Sequence, residues 1–126
     1  MKVLVAVLII VLTLFSGTGE TSSDSYIYKG MASWYSEEDP GVLDTTANME
    51  QFDDSGFTCA MWDIPFNTVL KVTNTENGRS VFVRVNDRGP AKRLVKKGRI
   101  IDLTKKAFSM LDNLEKGLIR VKIEII

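Results

Sequence analysis

The sequence predicts a mostly β domain that closes as a small barrel and contains one helix. Two segments, 69–74 and 80–86, alternate apolar and polar residues and flank Asn77-Gly78, a dipeptide typical of hairpin turns. We therefore expect these segments to form an antiparallel pair. The last segment, 118–126, alternates as well, and one face of it carries Ile119, Val121, Ile123 and Ile125. A last strand of this kind, following several short strands, favours a closed barrel.

The remaining elements are short. Apolar runs at 30–36, 57–61 and 99–103 are typical of strands. Only the segment 103–114 has convincing helical spacing, with Thr104 as the candidate N-cap and Gly117 after its end. The apolar stripe of this predicted helix consists of Ala107, Phe108, Leu111 and Leu114.

Length and charge narrow the classes of function. The chain has 126 residues, which is enough for one domain. Its 16 basic and 16 acidic residues balance, so nothing in the net charge indicates nucleic acid or an anionic membrane as a partner. The chain contains no histidine, which removes the commonest general base and the commonest zinc ligand. We expect neither a metal nor another cofactor.

The N-terminus predicts export. Lys2 precedes an uninterrupted apolar run, 3–15, and a stretch of small residues follows, as in a secretory signal peptide. We assign 1–19 to a signal peptide, 20–29 to a polar linker and 30–126 to the domain; an uncleaved N-terminal anchor is the alternative. No cysteine follows the apolar run, so we expect an exported protein that is not a lipoprotein. The single cysteine, Cys59, is expected to be a small buried apolar residue.

Candidate chemistry lies in three places. The segment 45–54 is a polar loop that carries Glu50, the segment NDRGP at 86–90 carries Asp87, and Asp102 lies within an apolar strand. Cleavage of a glycosidic bond needs an acid to protonate the leaving oxygen and a partner that stabilises the positive charge. Spacing alone does not establish that these carboxylates meet.

A resemblance carries the interpretation further. The segments GMASWYS, TTANMEQFDD, TCAMWDIPFNTVLKVTNTENGRSVFVRVNDRGP and GRIIDLTKKAF, in this order, resemble the rare lipoprotein A (RlpA) family over nearly the whole mature chain. The resemblance implies a six-stranded double-psi β-barrel. It also implies lytic transglycosylase activity on peptidoglycan glycan strands, particularly strands stripped of their peptide stems. Expansins and some endoglucanases are distant relatives of this fold.

The family's functional positions transfer onto named residues of this chain. The catalytic acid corresponds to Asp87 and the second functional carboxylate to Glu50, while Asp102 resembles the acidic position of the expansin and endoglucanase relatives. The family's functional histidine corresponds to Met61, which is a departure, because a thioether neither carries charge nor transfers a proton.

Neighbouring residues complete the predicted site. We expect Asn86 to orient Asp87 or to bind substrate, and Trp62 to line the groove. Arg88 is expected either to brace its loop or to bind a substrate carboxylate. Asp102 is included among the substrate-contacting residues.

Each of these residues also has a structural interpretation. Asp87 is a good turn former and a candidate ion-pair partner, Glu50 lies in an acidic loop, and Asp102 could cap the predicted helix. Tyr35 is expected in the core, and Trp34 is expected either to fill the barrel or to stack on sugar rings.

Three hypotheses follow from the resemblance. The first is a monomeric, metal-free endolytic lytic transglycosylase that cleaves MurNAc–GlcNAc bonds of peptidoglycan and forms 1,6-anhydro products. The second is a non-catalytic, expansin-like module that binds or loosens wall polysaccharide, which Met61 supports. The third is a structural partner of cell-division or envelope proteins, in which Asp87 would be dispensable.

Overall fold

The computed structural model describes residues 27–126, and six strands within that range close into one barrel. The strands are β1 (Ile27–Tyr35), β2 (Thr58–Ala60), β3 (Val69–Asn74), β4 (Ser80–Asp87), β5 (Arg99–Thr104) and β6 (Ile119–Ile125). The predicted signal peptide, 1–19, and most of the predicted linker lie outside the described residues. Because β1 begins at Ile27, the last three residues of the predicted linker belong to the barrel.

The barrel has mixed strand directions. Its order around the barrel is β1-β5-β2-β4-β3-β6, and β6 pairs with β1 to close it. The pairs β1–β5 and β2–β4 are parallel, and the other four are antiparallel. The predicted hairpin is confirmed, since β3 and β4 pair antiparallel with Leu70 opposite Val83. Closure leaves no exposed edge in the barrel.

The core fills the barrel interior with the inward-facing half of each alternating strand. On β6 the predicted apolar face is confirmed, with Ile119, Val121 and Ile123 buried and Ile125 partly buried against them. The largest contributions from the other elements come from Leu70, Val72, Val83, Val85, Ile101, Leu103, Phe108 and Leu111. Cys59 is fully buried in the same core, as expected, and this burial raises the pKa of its thiol.

The helices are shorter than predicted. α1 (Lys92–Val95) was not predicted, and α2 spans only Lys105–Ser109, followed by a 3₁₀ turn at Leu114–Lys116. The predicted N-cap is confirmed, because the Thr104 hydroxyl accepts a hydrogen bond from the Ala107 N–H at 3.2 Å. No helix within 27–126 is long and apolar enough to cross a membrane.

The predicted helix over 103–114 was too long at both ends for physical reasons. Its first two residues belong to β5, where they pair with neighbouring strands. Beyond α2, the Asp112 carboxylate accepts a hydrogen bond from the Asn113 backbone N–H at 2.8 Å. The Asn113 side-chain oxygen accepts one from the Glu115 backbone N–H at 3.2 Å. Local bonds of this kind compete with the helical ladder and favour turns.

Candidate active site

The short strand β2 places two carboxylates on either side of Ala60. Ala60 is the register partner of Asp87 on one neighbouring strand and of Asp102 on the other. Two strand spacings put the Cα atoms of the two aspartates about 10 Å apart. Both aspartates and Ala60 line one groove of about 250 Å³, together with Tyr35, Arg88 and the loop residues 41–43 and 45. A small residue between the carboxylates leaves the groove floor open.

Asp87 is held firmly through one oxygen. Its Oδ1 accepts hydrogen bonds from the backbone N–H groups of Ala47, at 3.0 Å, and Arg88, at 2.9 Å. Its Oδ2 is contacted by the Tyr35 hydroxyl at 3.4 Å, which is long for an O–H···O bond. Oδ2 is therefore the less restrained oxygen of the carboxylate, although the carboxylate itself has a fixed position.

Asp102 is also held by side chains. Its Oδ1 accepts a hydrogen bond from the Ser33 hydroxyl and forms an ion pair with Arg99 at 3.0 Å. Ser33 is the register partner of Asp102 across the parallel β1–β5 pair. The helix-cap interpretation of Asp102 is wrong, because Thr104 caps α2 with its own hydroxyl. Asp102 instead belongs to the groove.

Tyr35 is a groove residue that the sequence analysis placed in the core. Its ring stacks on Phe52, with centroids 4.6 Å apart and planes 11° apart, while its hydroxyl reaches Asp87. Burial, followed by the negative charge of Asp87, raises the pKa of the Tyr35 phenol, so the hydroxyl remains a hydrogen-bond donor. Tyr35 and Ser33 are two residues apart on β1, as expected for side chains on one face.

Glu50 lies apart from this groove. Its carboxylate forms a two-point ion pair with the guanidinium of Arg84, at 2.7 and 2.9 Å, and lines a different cavity of about 270 Å³. The Arg84 guanidinium, together with a hydrogen bond from Asn48, lowers the pKa of Glu50 from 4.5 to about 2. Glu50 lines a cavity other than that of Asp87, and the direct catalytic role expected for Glu50 from the sequence stays a prediction.

Glu50 is nevertheless linked to Asp87 through its loop. Its Oε1 accepts a hydrogen bond from the Asn48 side-chain amide at 2.8 Å, and its backbone oxygen accepts one from the Thr46 N–H at 2.8 Å. Ala47, between them, is the residue whose N–H reaches the Asp87 carboxylate. The ion pair with Arg84 thus fixes the loop that positions Asp87.

The position of the family histidine is occupied by a core residue. Met61 is 5% exposed and belongs to the hydrophobic core. Its backbone N–H donates to the Asp87 backbone oxygen at 3.1 Å, which continues the pairing of β2 with β4. Met61 therefore supports the loop that carries Asp87, but it does not line the groove of the two aspartates.

Arg88 braces this loop, which is one of the two roles predicted for it. Its guanidinium donates to the backbone oxygens of Met61, at 2.9 Å, and Ile64, at 2.6 Å, and lies 3.9 Å from the centroid of the Phe66 ring. Both hydrogen bonds come from the Nη1 nitrogen, and the guanidinium also contacts an aromatic ring. Arg88 also lines the groove of the two aspartates.

Two further predicted residues, Trp62 and Asn86, line cavities other than the groove of the two aspartates. Trp62 donates from its indole N–H to the Pro90 oxygen at 2.6 Å, and the Lys92 ammonium lies 4.7 Å from its ring. Trp62 lines an apolar cavity of about 220 Å³ next to the groove. Asn86 is buried and lines the Glu50 cavity; its Oδ1 accepts no hydrogen bond from any residue in 27–126. Asn86 does not contact the Asp87 carboxylate through its side chain.

One acidic cluster lies elsewhere. Glu37, Asp53 and Asp54 have carboxylate oxygens within 4.8 Å of one another, and oxygen ligands of this type suit hard cations such as calcium. The Asp53 carboxylate already accepts a hydrogen bond from the Ser55 backbone N–H at 3.0 Å. The Asp54 carboxylate accepts one from the Glu37 backbone N–H at 3.1 Å. The cluster is separate from the groove of the two aspartates.

Sequence relatives agree with this architecture. A protein-family model described as lytic transglycolase matches residues 27–123. The chain is 44% identical over 97 residues to an endolytic peptidoglycan transglycosylase RlpA of Campylobacter jejuni, covering 77% of this chain and 33% of that protein. It is 40% identical over 114 residues to the protein of the same name from Pseudomonas aeruginosa, covering 89% of this chain and 32% of the relative. The chain spans about a third of the length of these relatives.

Solved structures agree on the fold. The Streptomyces papain inhibitor superposes with a TM-score of 0.62 at 21% identity, covering 81% of this chain and 96% of that one. A Clavibacter michiganensis expansin superposes with a TM-score of 0.60 at 19% identity, covering 79% of this chain and 50% of that one. The closed barrel of mixed strands, the family-model match and the sequence identities lead to one assignment. The chain belongs to the lytic transglycolase family and has an RlpA-like double-psi β-barrel.

Proposed function

We propose that this protein is an exported, endolytic peptidoglycan lytic transglycosylase that cleaves MurNAc–GlcNAc bonds in glycan strands poor in peptide stems. The observation that carries the proposal is the placement of Asp87 and Asp102 on either side of Ala60 in one open groove. The names of the RlpA relatives support the reaction and the substrate class. We propose that the barrel acts as a monomer, with the glycan strand as its principal partner.

Asp87 is the proposed acid. Its Oδ1 is occupied by two backbone N–H groups, so the proton would be delivered from Oδ2, whose only contact within 27–126 is the Tyr35 hydroxyl at 3.4 Å. The proton passes to the glycosidic oxygen as the bond from that oxygen to C1 of MurNAc breaks, and the GlcNAc side leaves as an alcohol. The positive charge that develops on the MurNAc ring lies between the two aspartates.

Asp102 is the proposed second carboxylate, in the role that the sequence analysis gave to Glu50. The C6 hydroxyl of the MurNAc residue attacks its own C1, and its proton passes to Asp102 as the 1,6-anhydro ring closes. Leaving-group protonation and hydroxyl deprotonation balance, so no water is consumed. Ser33 and Arg99 hold Asp102 in place for this step. Glu50 is proposed to act as a positioning residue through the loop 46–48.

A second candidate function is a non-catalytic, expansin-like module that binds wall polysaccharide. Met61, a buried core residue at the family's histidine position, favours this alternative. The two functions separate in one pair of measurements. A glycan pull-down with no cleavage would support the binding module, whereas both binding and cleavage would support the enzyme.

Incubation of the purified protein with stem-free glycan strands, followed by mass spectrometry, tests the proposal. We expect fragments that end in 1,6-anhydro-MurNAc, which are lighter by one water than hydrolytic products. Products that all carry a reducing MurNAc end would indicate hydrolysis and would overturn the assigned reaction.

A further inference from the structure

A second concavity of the barrel is lined by cations. It has a volume of about 480 Å³, and its lining includes Lys29 of β1, Lys97 before β5 and Arg120 of β6. One of its lining residues, Gly98, directly precedes β5 and is four residues from Asp102. Four residues of strand correspond to about 13 Å. We refer to this concavity, defined by Lys29, Lys97 and Arg120, as the basic cleft.

The positive charge of the basic cleft is not balanced locally. No acidic residue lines it, and none of its three cations forms a salt bridge within residues 27–126. The adjoining segment 92–99 adds further lysine and arginine and no acid, and only Arg99 in it is ion-paired. Because the whole chain has no net charge, this concentration is a local feature.

Convergence separates the basic cleft from an ordinary solvated surface. Its cations come from two strands that pair with each other and from the loop before a third strand, and all of them border one concavity. Like charges around a shared concavity repel one another and together attract an anion. Lysine and arginine bind carboxylate and phosphate oxygens through charge-assisted hydrogen bonds. The chemistry of the cleft therefore fits an oxyanion.

The basic cleft is connected to the candidate active site. Lys29 lines both the basic cleft and the apolar cavity that contains Trp62. That cavity is also lined by Ile100 of β5, which is two residues from Asp102 of the catalytic groove, and alternate residues of a strand lie on one face. A polymer bound in the groove could thus continue past the Trp62 cavity to the basic cleft. This arrangement suits a strand with its reacting bond at one end and an anionic group at the other.

We propose that the basic cleft binds the lactyl carboxylate of a stem-free muramic acid residue in the strand that the groove cleaves. This inference rests on the proposed function. A muramic acid residue without a peptide carries a free carboxylate, whereas attachment of a stem converts that carboxylate to a neutral amide. The basic cleft therefore distinguishes stem-free from stem-bearing strands through the charge at the lactyl position.

Binding of Asp87→Asn protein to three strand preparations tests the proposal without cleavage during the measurement. The preparations are stem-free strands, the same strands with their carboxylates reduced to alcohols, and stem-bearing strands. In this background, Lys97→Gln with Arg120→Gln is expected to weaken binding to stem-free strands about tenfold and to leave binding to reduced strands unchanged. The matched control is Lys105→Gln with Arg79→Gln, which removes two exposed charges outside the cleft and should leave binding unchanged.

Each other outcome contradicts a defined part of the inference. An equal loss on stem-free and reduced strands, or no loss on either, would show that the cleft binds no carboxylate. A larger loss on stem-bearing than on stem-free strands would assign the anion to the peptide stems, and an equal loss on both would assign it to a group that the two share; either result would overturn the lactyl assignment. Failure of the proposed function is distinguishable from failure of this inference. If the protein is not a lytic transglycosylase, the unaltered protein forms no anhydro product, but the Asp87→Asn protein can still show carboxylate-dependent binding.

Discussion

Asp87 and Asp102 lie opposite the same residue, Ala60, on the two strands that flank β2. Their separation is therefore set by the spacing of strands in the barrel. The pairing of β2 with β4 shifts register between Cys59 and Ala60, and irregularities of this type are common beside active sites, where they redirect side chains. The relationship ties the proposed chemistry to the paired strands of the barrel.

Replacement of the second aspartate tests the two-carboxylate arrangement. Asp102→Asn retains the size of the side chain and its ability to accept from Ser33, but removes the charge. We expect cleavage of stem-free strands to fall at least about 100-fold, since general acid–base groups contribute at this level. The rate of anhydro-product formation measures the effect, and an unchanged melting temperature serves as the control for folding. A variant with nearly full activity would remove Asp102 from the mechanism.

Removal of a single hydroxyl tests the role of Tyr35. Tyr35→Phe keeps the stacking on Phe52 and deletes the contact with Asp87 Oδ2. We expect activity to fall about three- to tenfold, because the contact is long and is one of three made by the carboxylate. The pH dependence of the cleavage rate should also change, which a purely structural role would not cause. Identical pH profiles for the two proteins would contradict this role.

The Glu50–Arg84 ion pair predicts a pH-dependent contribution to stability. The pKa of Glu50 is lowered from 4.5 to about 2 in the folded state, so the pair stabilises the protein above pH 4.5. That contribution disappears as the pH falls from 4.5 towards 2. Because both side chains are more than one third exposed, we expect the ion pair to contribute less than about 1 kcal/mol to the free energy of unfolding.

Chemical denaturation of Glu50→Gln measures this contribution. The stability difference from the unaltered protein should be largest near neutral pH and should shrink between pH 4.5 and 2. Glu124→Gln is a matched control, since it removes a similarly exposed ion pair, with Lys122 on β6, that makes no hydrogen bond to the loop 46–48. Only Glu50→Gln should also reduce cleavage; an equal effect of both variants on cleavage would contradict the positioning role of Glu50.

Restoring the family residue at position 61 tests the alternative function. Met61 is buried in the core and does not line the groove, so Met61→His introduces a polar ring without a prepared partner. We expect a loss of about 1–3 kcal/mol in the free energy of unfolding and no gain in cleavage. Met61→Leu should lower the free energy of unfolding by less than about 1.5 kcal/mol. A large gain in cleavage by Met61→His would instead support the alternative function, in which the protein with Met61 is a non-catalytic binding module.

Much of the fold could be predicted from residue patterns. The alternation in β3, β4 and β6 and the Asn77-Gly78 turn predict those strands correctly, because burial of one face leaves a direct trace in the sequence. The length of the helix could not be predicted correctly from its apolar spacing, because α2 ends at Ser109 although the spacing continues to Leu114. The apolar residues that continue its spacing, Leu111 and Leu114, are buried or partly buried by the turns that follow α2.

The site was harder to predict than the fold. Asp87 was identified from its motif, but the partnership with Asp102 depends on which strands neighbour β2, and strand order has no local signal in the sequence. Glu50 was assigned by family position, and its bond to Arg84 arises from a contact between residues 34 positions apart. Ser33 and Tyr35 would have been identified only with knowledge that β1 lies parallel to β5.

The most direct test compares the unaltered protein with Asp87→Asn on stem-free glycan strands. The asparagine keeps the shape of the side chain and can accept the backbone hydrogen bonds made by Oδ1, but it has no proton to deliver to a glycosidic oxygen. The account predicts 1,6-anhydro-MurNAc ends from the unaltered protein and none above background from Asp87→Asn, with both proteins equally folded. Equal amounts of anhydro product from the two proteins, or none from either, would contradict it.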